Sequence, residues 1–240
     1  MTQMMRPVRA RRRPAHAKRR HIGFWKEAAI VAAVALLGSW ALQSFVVQSY
    51  YIPSGSMRNT LEISDRIMVS RITPRLRDVQ RGDIVVFNDF EGWLPEQYHP
   101  VRAAFAEFVK QVSSQAGPAP RHGGYLIKRI IGLPGDTVSC CTADNQVLIN
   151  GQPIDEPYLH PESHPMQQHF SAVTVPDGHV WVMGDNRNHS ADSRAHQDQP
   201  SGGFVPISQV RGVAFATVFP FGQATIHRAQ PDVYSALAAD

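Results

Sequence analysis

A serine at position 56 and a lysine at position 128 are the residues of this 240-residue chain that can share one reaction. Ser56 stands in Pro53-Ser54-Gly55-Ser56-Met57, whose glycine suits a tight turn, and Lys128 stands in the apolar run Tyr125 to Gly132, which reads as a strand. Serine is a weak nucleophile at neutral pH and needs a base within hydrogen-bond reach. Beyond the N-terminal apolar segment only Lys110 and Lys128 carry an amine. Lys110 falls in a Pro/Gly-rich stretch and reads as a solvated surface charge. Lys128, set among Leu126, Ile127, Ile130 and Ile131, either reaches out at a strand edge or is desolvated. Desolvation would make it a base: with a pKa near 10.4 about one amine in a thousand is neutral around pH 7.5, and with a pKa of about 8 roughly a quarter is.

A third polar element follows a strand-like run. Gly184-Asp185-Asn186-Arg187-Asn188-His189-Ser190-Ala191-Asp192-Ser193-Arg194 holds two Asp and two Arg, and if buried it must satisfy itself internally. Asp192 with Arg194, or Asp185 with Arg187, would supply the ion pairs; a solvated loop is the plainer alternative. His189 offers a histidine base in place of lysine. His160, His164 and His169 with Glu162 lack regular metal-ligand spacing, so no metal and no cofactor is expected. Cys140 and Cys141 are adjacent, which makes an ordinary disulfide awkward. Free thiols are the favoured reading and a vicinal bridge the other.

The elements that must position these residues are mostly strands. Residues 66–70, 83–87, 126–131, 147–149, 179–183 and 210–218 are short β-type runs between Gly, Pro and Asp, and helical periodicity is nearly absent. Asn150-Gly151 predicts a type I′ hairpin pairing residues 147–149 with the Pro153-Ile154 side. The fold class is mainly β. Residues 92–124 read as a loop insert with a short amphipathic helix over Val101–Val112, and residues 139–178 as a small β appendage with a loose Pro/His-rich loop from Tyr158 to Gln168. The catalytic core is then 49–138 with 179–240.

The N-terminus differs in kind. The whole chain carries a net +4, yet residues 1–26 hold nine of the 24 basic residues and no acid, leaving fifteen against twenty and a net −5 for the rest. Such a basic tail could meet nucleic acid or anionic lipid, and its position decides. It runs into Ala28–Val47, twenty uncharged residues, roughly 30 Å as a helix and enough for a bilayer. Phe24 and Trp25 before it and Tyr50 and Tyr51 after it suit the interfaces. The expectation is a cytoplasmic tail over 1–26, a single transmembrane helix over 27–48 and an extracytoplasmic remainder, with a lipid bilayer and no nucleic acid as partner. A cleavable leader is the competing reading, with Ser39-Trp40-Ala41 as its small-x-small pair, although its apolar core would be long for one.

Four stretches in order resemble the successive boxes of type I signal peptidases: residues 53–57; Arg81-Gly82-Asp83-Ile84-Val85-Val86-Phe87; Ile127-Lys128-Arg129 with Gly132-Leu133-Pro134-Gly135-Asp136; and Gly184-Asp185-Asn186-Arg187 with Ser190-Ala191-Asp192-Ser193-Arg194. The resemblance covers most of residues 48–215. It implies a membrane-bound serine endopeptidase of the plasma or inner membrane that removes signal peptides from preproteins after Ala-x-Ala-like sites. It further implies Ser56 as nucleophile, Lys128 as general base, Ser54 and the Ser56 N–H as oxyanion donors, Ser190 orienting the amine, and Asp192 and Arg194 buttressing the loop. Tyr50, Ile52, Pro53, Leu126 and Ile127 would line pockets that admit small side chains by steric exclusion. Self-cleaving repressors share a Ser/Lys pair but carry a cytosolic DNA-binding domain, against which the apolar segment argues. A tethered β-domain that only binds peptides is the non-enzymatic alternative.

Overall fold

The computed structural model describes residues 23–73, 77–94, 124–163, 170–230 and 232–238. The expected helix over Val101–Val112, Lys110, His164 and His169 lie outside the described residues, as does most of the 92–124 insert. Two units meet between Ala41 and Leu42. The first contains most of helix α1 (Phe24–Phe45), built on an Ala- and Leu-rich run of strong helix formers with Glu27 in its first turn, where the helix dipole favours an acid. From Trp25 to Ser39 its side chains are exposed, among them Val31, Leu36 and Leu37. Among the described residues no helix is long and apolar enough to cross a membrane, the described side chains of α1 ending at Ser39. Val47 and Gln48, expected within the apolar span, instead open the first strand, where ladder pairing outweighs helix continuation for a β-branched residue.

The second unit is mainly β. Strands β1 (Val47–Tyr51), β2 (Arg66–Ser70), β3 (Ile84–Asn88), β4 (Tyr125–Gly132), β5 (Thr137–Cys140), β6 (Val147–Ile149), β7 (Gln152–Pro153), β8 (Val173–Thr174), β9 (His179–Met183), β10 (Val205–Pro206), β11 (Val210–Phe219) and β12 (Thr225–Ile226) form two antiparallel sheets. The larger runs β1-β2-β11-β3-β4-β9-β10, with β12 on β11; the smaller runs β7-β6-β5-β8. The β6–β7 hairpin closes through Asn150 and Gly151, both at positive φ (52° and 78°), as its Asn-Gly turn predicts.

Strand β4 is central, between β3 and β9, and packs on both faces. Leu126 and Ile130 join a cluster with Val85, Phe87, Trp93 and Val182; Ile127 joins another with Ile52, Met57 and Val86; Ile131 joins Trp181, Met183 and the small sheet. Burial on two faces explains a continuous apolar run without alternation. It also decides how Lys128 lies, because an interior strand offers no edge along which the amine can reach water.

Two expectations are corrected. Cys140 and Cys141 are not free thiols but form a disulfide with each other, across a cis peptide that puts their Cα atoms 3.1 Å apart. The segment from Tyr158 is not loose over its described part: Tyr158 is buried, and its hydroxyl meets that of Tyr234 at 2.8 Å.

Candidate active site

The turn that carries Ser56 is closed at its base by backbone bonds. Ile52 N donates to Asp65 O and Ser64 N to Ile52 O, both at 2.9 Å, while Leu61 N donates to Met57 O at 2.8 Å. Ile52, Met57 and Leu61 sink into the core beside Ile67, Ile84 and Val86. Apolar anchors on both sides of the serine, each fully buried and so holding by about 1.5–3 kcal/mol, fix the turn between them. Ser54 is half-buried and Pro53 exposed.

Lys128 Nζ lies 2.7 Å from Ser56 Oγ, and both residues are buried, at 4% and 7% exposure. Burial is the largest influence on the amine and drives its pKa down from 10.5 to about 8; the Asp192 and Asp185 carboxylates pull the other way without restoring it. About a quarter of a group with that pKa is neutral half a pH unit below it. A hydroxyl and a partly neutral amine at hydrogen-bond distance can move a proton from oxygen to nitrogen.

The polar loop after β9 pairs within itself, but not wholly as expected. Arg194 grips Asp192 with two donors, Nε and Nη2, each at 2.8 Å. Asp192 also accepts from Gly184 N at 2.9 Å and caps the short helical turn Ser193–His196 through Arg194 N. Burial pushes its carboxyl up, yet the Arg194 charge and these bonds outweigh burial and hold it below the ordinary value. Asp185 does not pair with Arg187. It pairs with Arg129, through Nε at 2.8 Å and Nη2 at 2.6 Å, and Arg187 pairs with Glu156 at 2.9 and 2.6 Å. Asp185 and Arg187 thus each take a partner distant in sequence, which local spacing does not reveal.

Asn186 ties this loop to the Ser56 turn: its backbone N–H donates to Ser56 O at 3.0 Å and its side-chain amide to Gly55 O at 3.1 Å. Beside it, a Cβ on Gly184 would stand 2.5 Å from Ser56 O and collide with the Ser190 hydroxyl. Ser190 is buried next to this close approach. Its hydroxyl is near enough to Asp192 to help keep that carboxylate low, yet makes no hydrogen bond of ordinary geometry. His189 directs its ring Nδ1 to Asn186 Oδ1 at 3.3 Å.

The profile of the family described as signal peptidase, peptidase S26, matches residues 24–219, a span that includes every residue of this site. The chain belongs to the signal peptidase S26 family. It is 38% identical over 215 residues to signal peptidase I of Mycobacterium tuberculosis, an alignment covering 81% of this chain and 72% of that one. It is 35% identical over 196 residues to a probable signal peptidase I-2 of Synechocystis, covering 82% and 74%. A crystal structure of a signal peptidase I from Enterococcus faecalis matches with 30% identity, 57% of this chain, 97% of that chain and a TM-score of 0.35. As a member of the signal peptidase family the chain is a serine endopeptidase, a hydrolase.

Against that family frame, the expected pocket residues fall into two groups. Ile52 and Ile127 share one cluster, with Tyr50 packed against it and edge-on to Tyr125 at 5.3 Å between ring centres. Leu126, one residue from Ile127 on the strand, packs instead in the cluster around Phe87 and Trp93. The residues that the sequence did not single out are Asn186, Arg129 and Glu156. A signal existed for Arg129: a charge inside an apolar strand requires a buried partner. None existed for Glu156.

Proposed function

We propose that this signal peptidase family member removes signal peptides from exported preproteins, cutting after small side chains with Ser56 as nucleophile and Lys128 as general base. The observation that carries the reading is the 2.7 Å contact between Lys128 Nζ and Ser56 Oγ, both out of water, with the amine brought down to about 8. In the neutral state the Ser56 O–H donates to the amine. As Oγ attacks the carbonyl carbon of the scissile bond, the proton passes to Nζ, and the carbonyl oxygen becomes an oxyanion received by the Ser54 hydroxyl and the Ser56 N–H. The ammonium then protonates the departing amine, leaving an ester on Ser56 and a neutral lysine. That lysine takes a proton from water as the water oxygen attacks the ester carbonyl, and then returns it to Ser56 Oγ as the carboxylic product departs.

Ser190, buried beside Gly184 and close to Asp192, would orient the amine. Asp192 and Arg194 hold the loop from which it projects. Ile52, Ile127 and Tyr50 would form the wall that admits alanine and excludes larger groups, with Pro53 and Leu126 at its margins. The division into a basic cytoplasmic tail over 1–26, a membrane anchor over 27–48, an extracytoplasmic catalytic core over 49–138 and 179–240, and a small β appendage over 139–178 rests on charge, apolar length and strand pattern. An anchor so near Ser56 in sequence would hold the enzyme where its preprotein substrates lie.

The test is cleavage of a preprotein by the detergent-solubilised full chain. Ser56→Ala and Lys128→Met should each abolish cleavage while leaving a folded protein, and Lys128→Arg should fail as well because a guanidinium does not deprotonate. Turnover by the first two would remove these residues from the mechanism.

A further inference from the structure

The chain between the small sheet's hairpin and its last strand does more than connect. From Glu156 to Ser163 it lies against both halves of the site. The amide of Asn59, three residues after Ser56, donates to Tyr158 O at 3.1 Å and Leu159 O at 3.0 Å. On the other half, Asp185 O accepts from His160 N at 3.1 Å and from Ser163 Oγ at 3.2 Å, and Arg187 N donates to Ser163 Oγ at 3.1 Å. Strand β9 ends at Met183, so these backbone groups of the loop have no ladder partner and this segment supplies one.

Charge reinforces the contact. Glu156 takes both Nη atoms of Arg187 and the Tyr158 hydroxyl, and the Tyr158 ring lies 3.9 Å beneath the Arg129 guanidinium, which in turn holds Asp185. Asp185 and Arg187 flank Asn186, the residue that fixes the carbonyls of Gly55 and Ser56. A displacement of about 1 Å at a reacting group costs on the order of 10²-fold in rate. The bracing is therefore connected to the atoms whose placement matters.

We propose that residues 156–163 act as a brace that positions the Ser56 turn and the Gly184–Ser190 loop for catalysis, with Glu156 and Ser163 as positioning residues. The proposal rests on the Ser56–Lys128 reading above. It gives the small sheet a purpose in the reaction: presenting this segment at a fixed height against the loop.

The experiment compares Ser163→Ala, Glu156→Gln and Glu156→Asp with wild type in steady-state preprotein cleavage by the full chain, together with the pH profile of kcat/KM and thermal unfolding. Ser163→Ala leaves no buried charge unpaired and should fold; kcat should fall about tenfold with KM unchanged, and the acidic limb should move as the loop carboxylates shift relative to Lys128. Glu156→Gln should lower kcat by about 10²-fold, and Glu156→Asp should recover part of it. Unchanged kcat and an unmoved limb in Ser163→Ala, or an effect confined to KM or to the unfolding midpoint, would reduce the segment to a structural role. Ser163→Ala decides alone if Glu156→Gln does not fold. Ser56→Ala and Lys128→Met, run alongside, separate the two ideas: if they are inactive and the brace variants are normal, only the brace fails.

Discussion

Burial frees part of the Lys128 amine from its proton near neutral pH at a cost to the fold, and both sides of that exchange can be measured. The folded-state value of about 8 lies below the ordinary 10.5, so the fold disfavours the charged amine. The cost is fully present below pH 8, fades between about 8 and 10.5, and is absent above. At roughly 1.4 kcal/mol per tenfold, the drop from 10.5 to about 8 corresponds to about 3 kcal/mol. Denaturant unfolding at pH 7 should therefore find Lys128→Met more stable than wild type by up to about 3 kcal/mol, with the gain shrinking toward pH 10. The same value governs rate: kcat/KM should climb with pH and level off above about 8, since only the free amine accepts the Ser56 proton. An acidic limb that moved on replacing His189, with Lys128 variants still active, would instead point to histidine. The closeness of Ser56 and Lys128 agrees with what the sequence suggested from a serine in a glycine-bearing turn and a lysine in an apolar strand.

At the level of elements, the strands were legible and the crossings between them were not. Residues 66–70, 147–149 and 179–183 form strands within the expected bounds, and the Asn150-Gly151 turn pairs β6 with β7. Local pattern carries such information because alternation and turn chemistry are properties of neighbouring residues. It does not carry the choice of Arg129 for Asp185 or of Glu156 for Arg187, which lie 56 and 31 residues apart. The sequence also leaves the tightness at Gly184 unseen, because a glycine before a polar loop looks like any turn glycine. Its packing makes a sharp prediction. Gly184→Ala would drive a methyl against Ser56 O and the Ser190 hydroxyl, so the loop or the nucleophile turn must shift. Overpacking of this kind typically costs 1–3 kcal/mol. Preprotein cleavage by the folded variant should fall at least about 10²-fold, as expected for an ångström of misplacement; a variant with wild-type kcat would show that the turn has room to move.

For the whole molecule, charge distribution bears on orientation and strand order bears on assembly. On the proposed topology, the nine basic residues ahead of the apolar run, set against a net negative remainder, would keep the tail in the cytoplasm and the catalytic unit outside. Protease added to intact spheroplasts should then digest the catalytic unit, and its full protection would reverse the topology. The sheet order adds a constraint on how an active molecule is made. Strand β11 lies between β2 and β3, pairing Val213 with both Ser70 and Val85, so the two strands that follow the nucleophile turn in sequence never touch edge to edge. Contacts that span so much chain form slowly, after the long loop has closed. Synthesis runs from the N-terminus, so Ser56 emerges early, but its supporting sheet must wait until residues 210–219 have left the ribosome. The sheet behind Ser56 is thus completed only after residues 210–219 have been made, a delay written into the order of its strands.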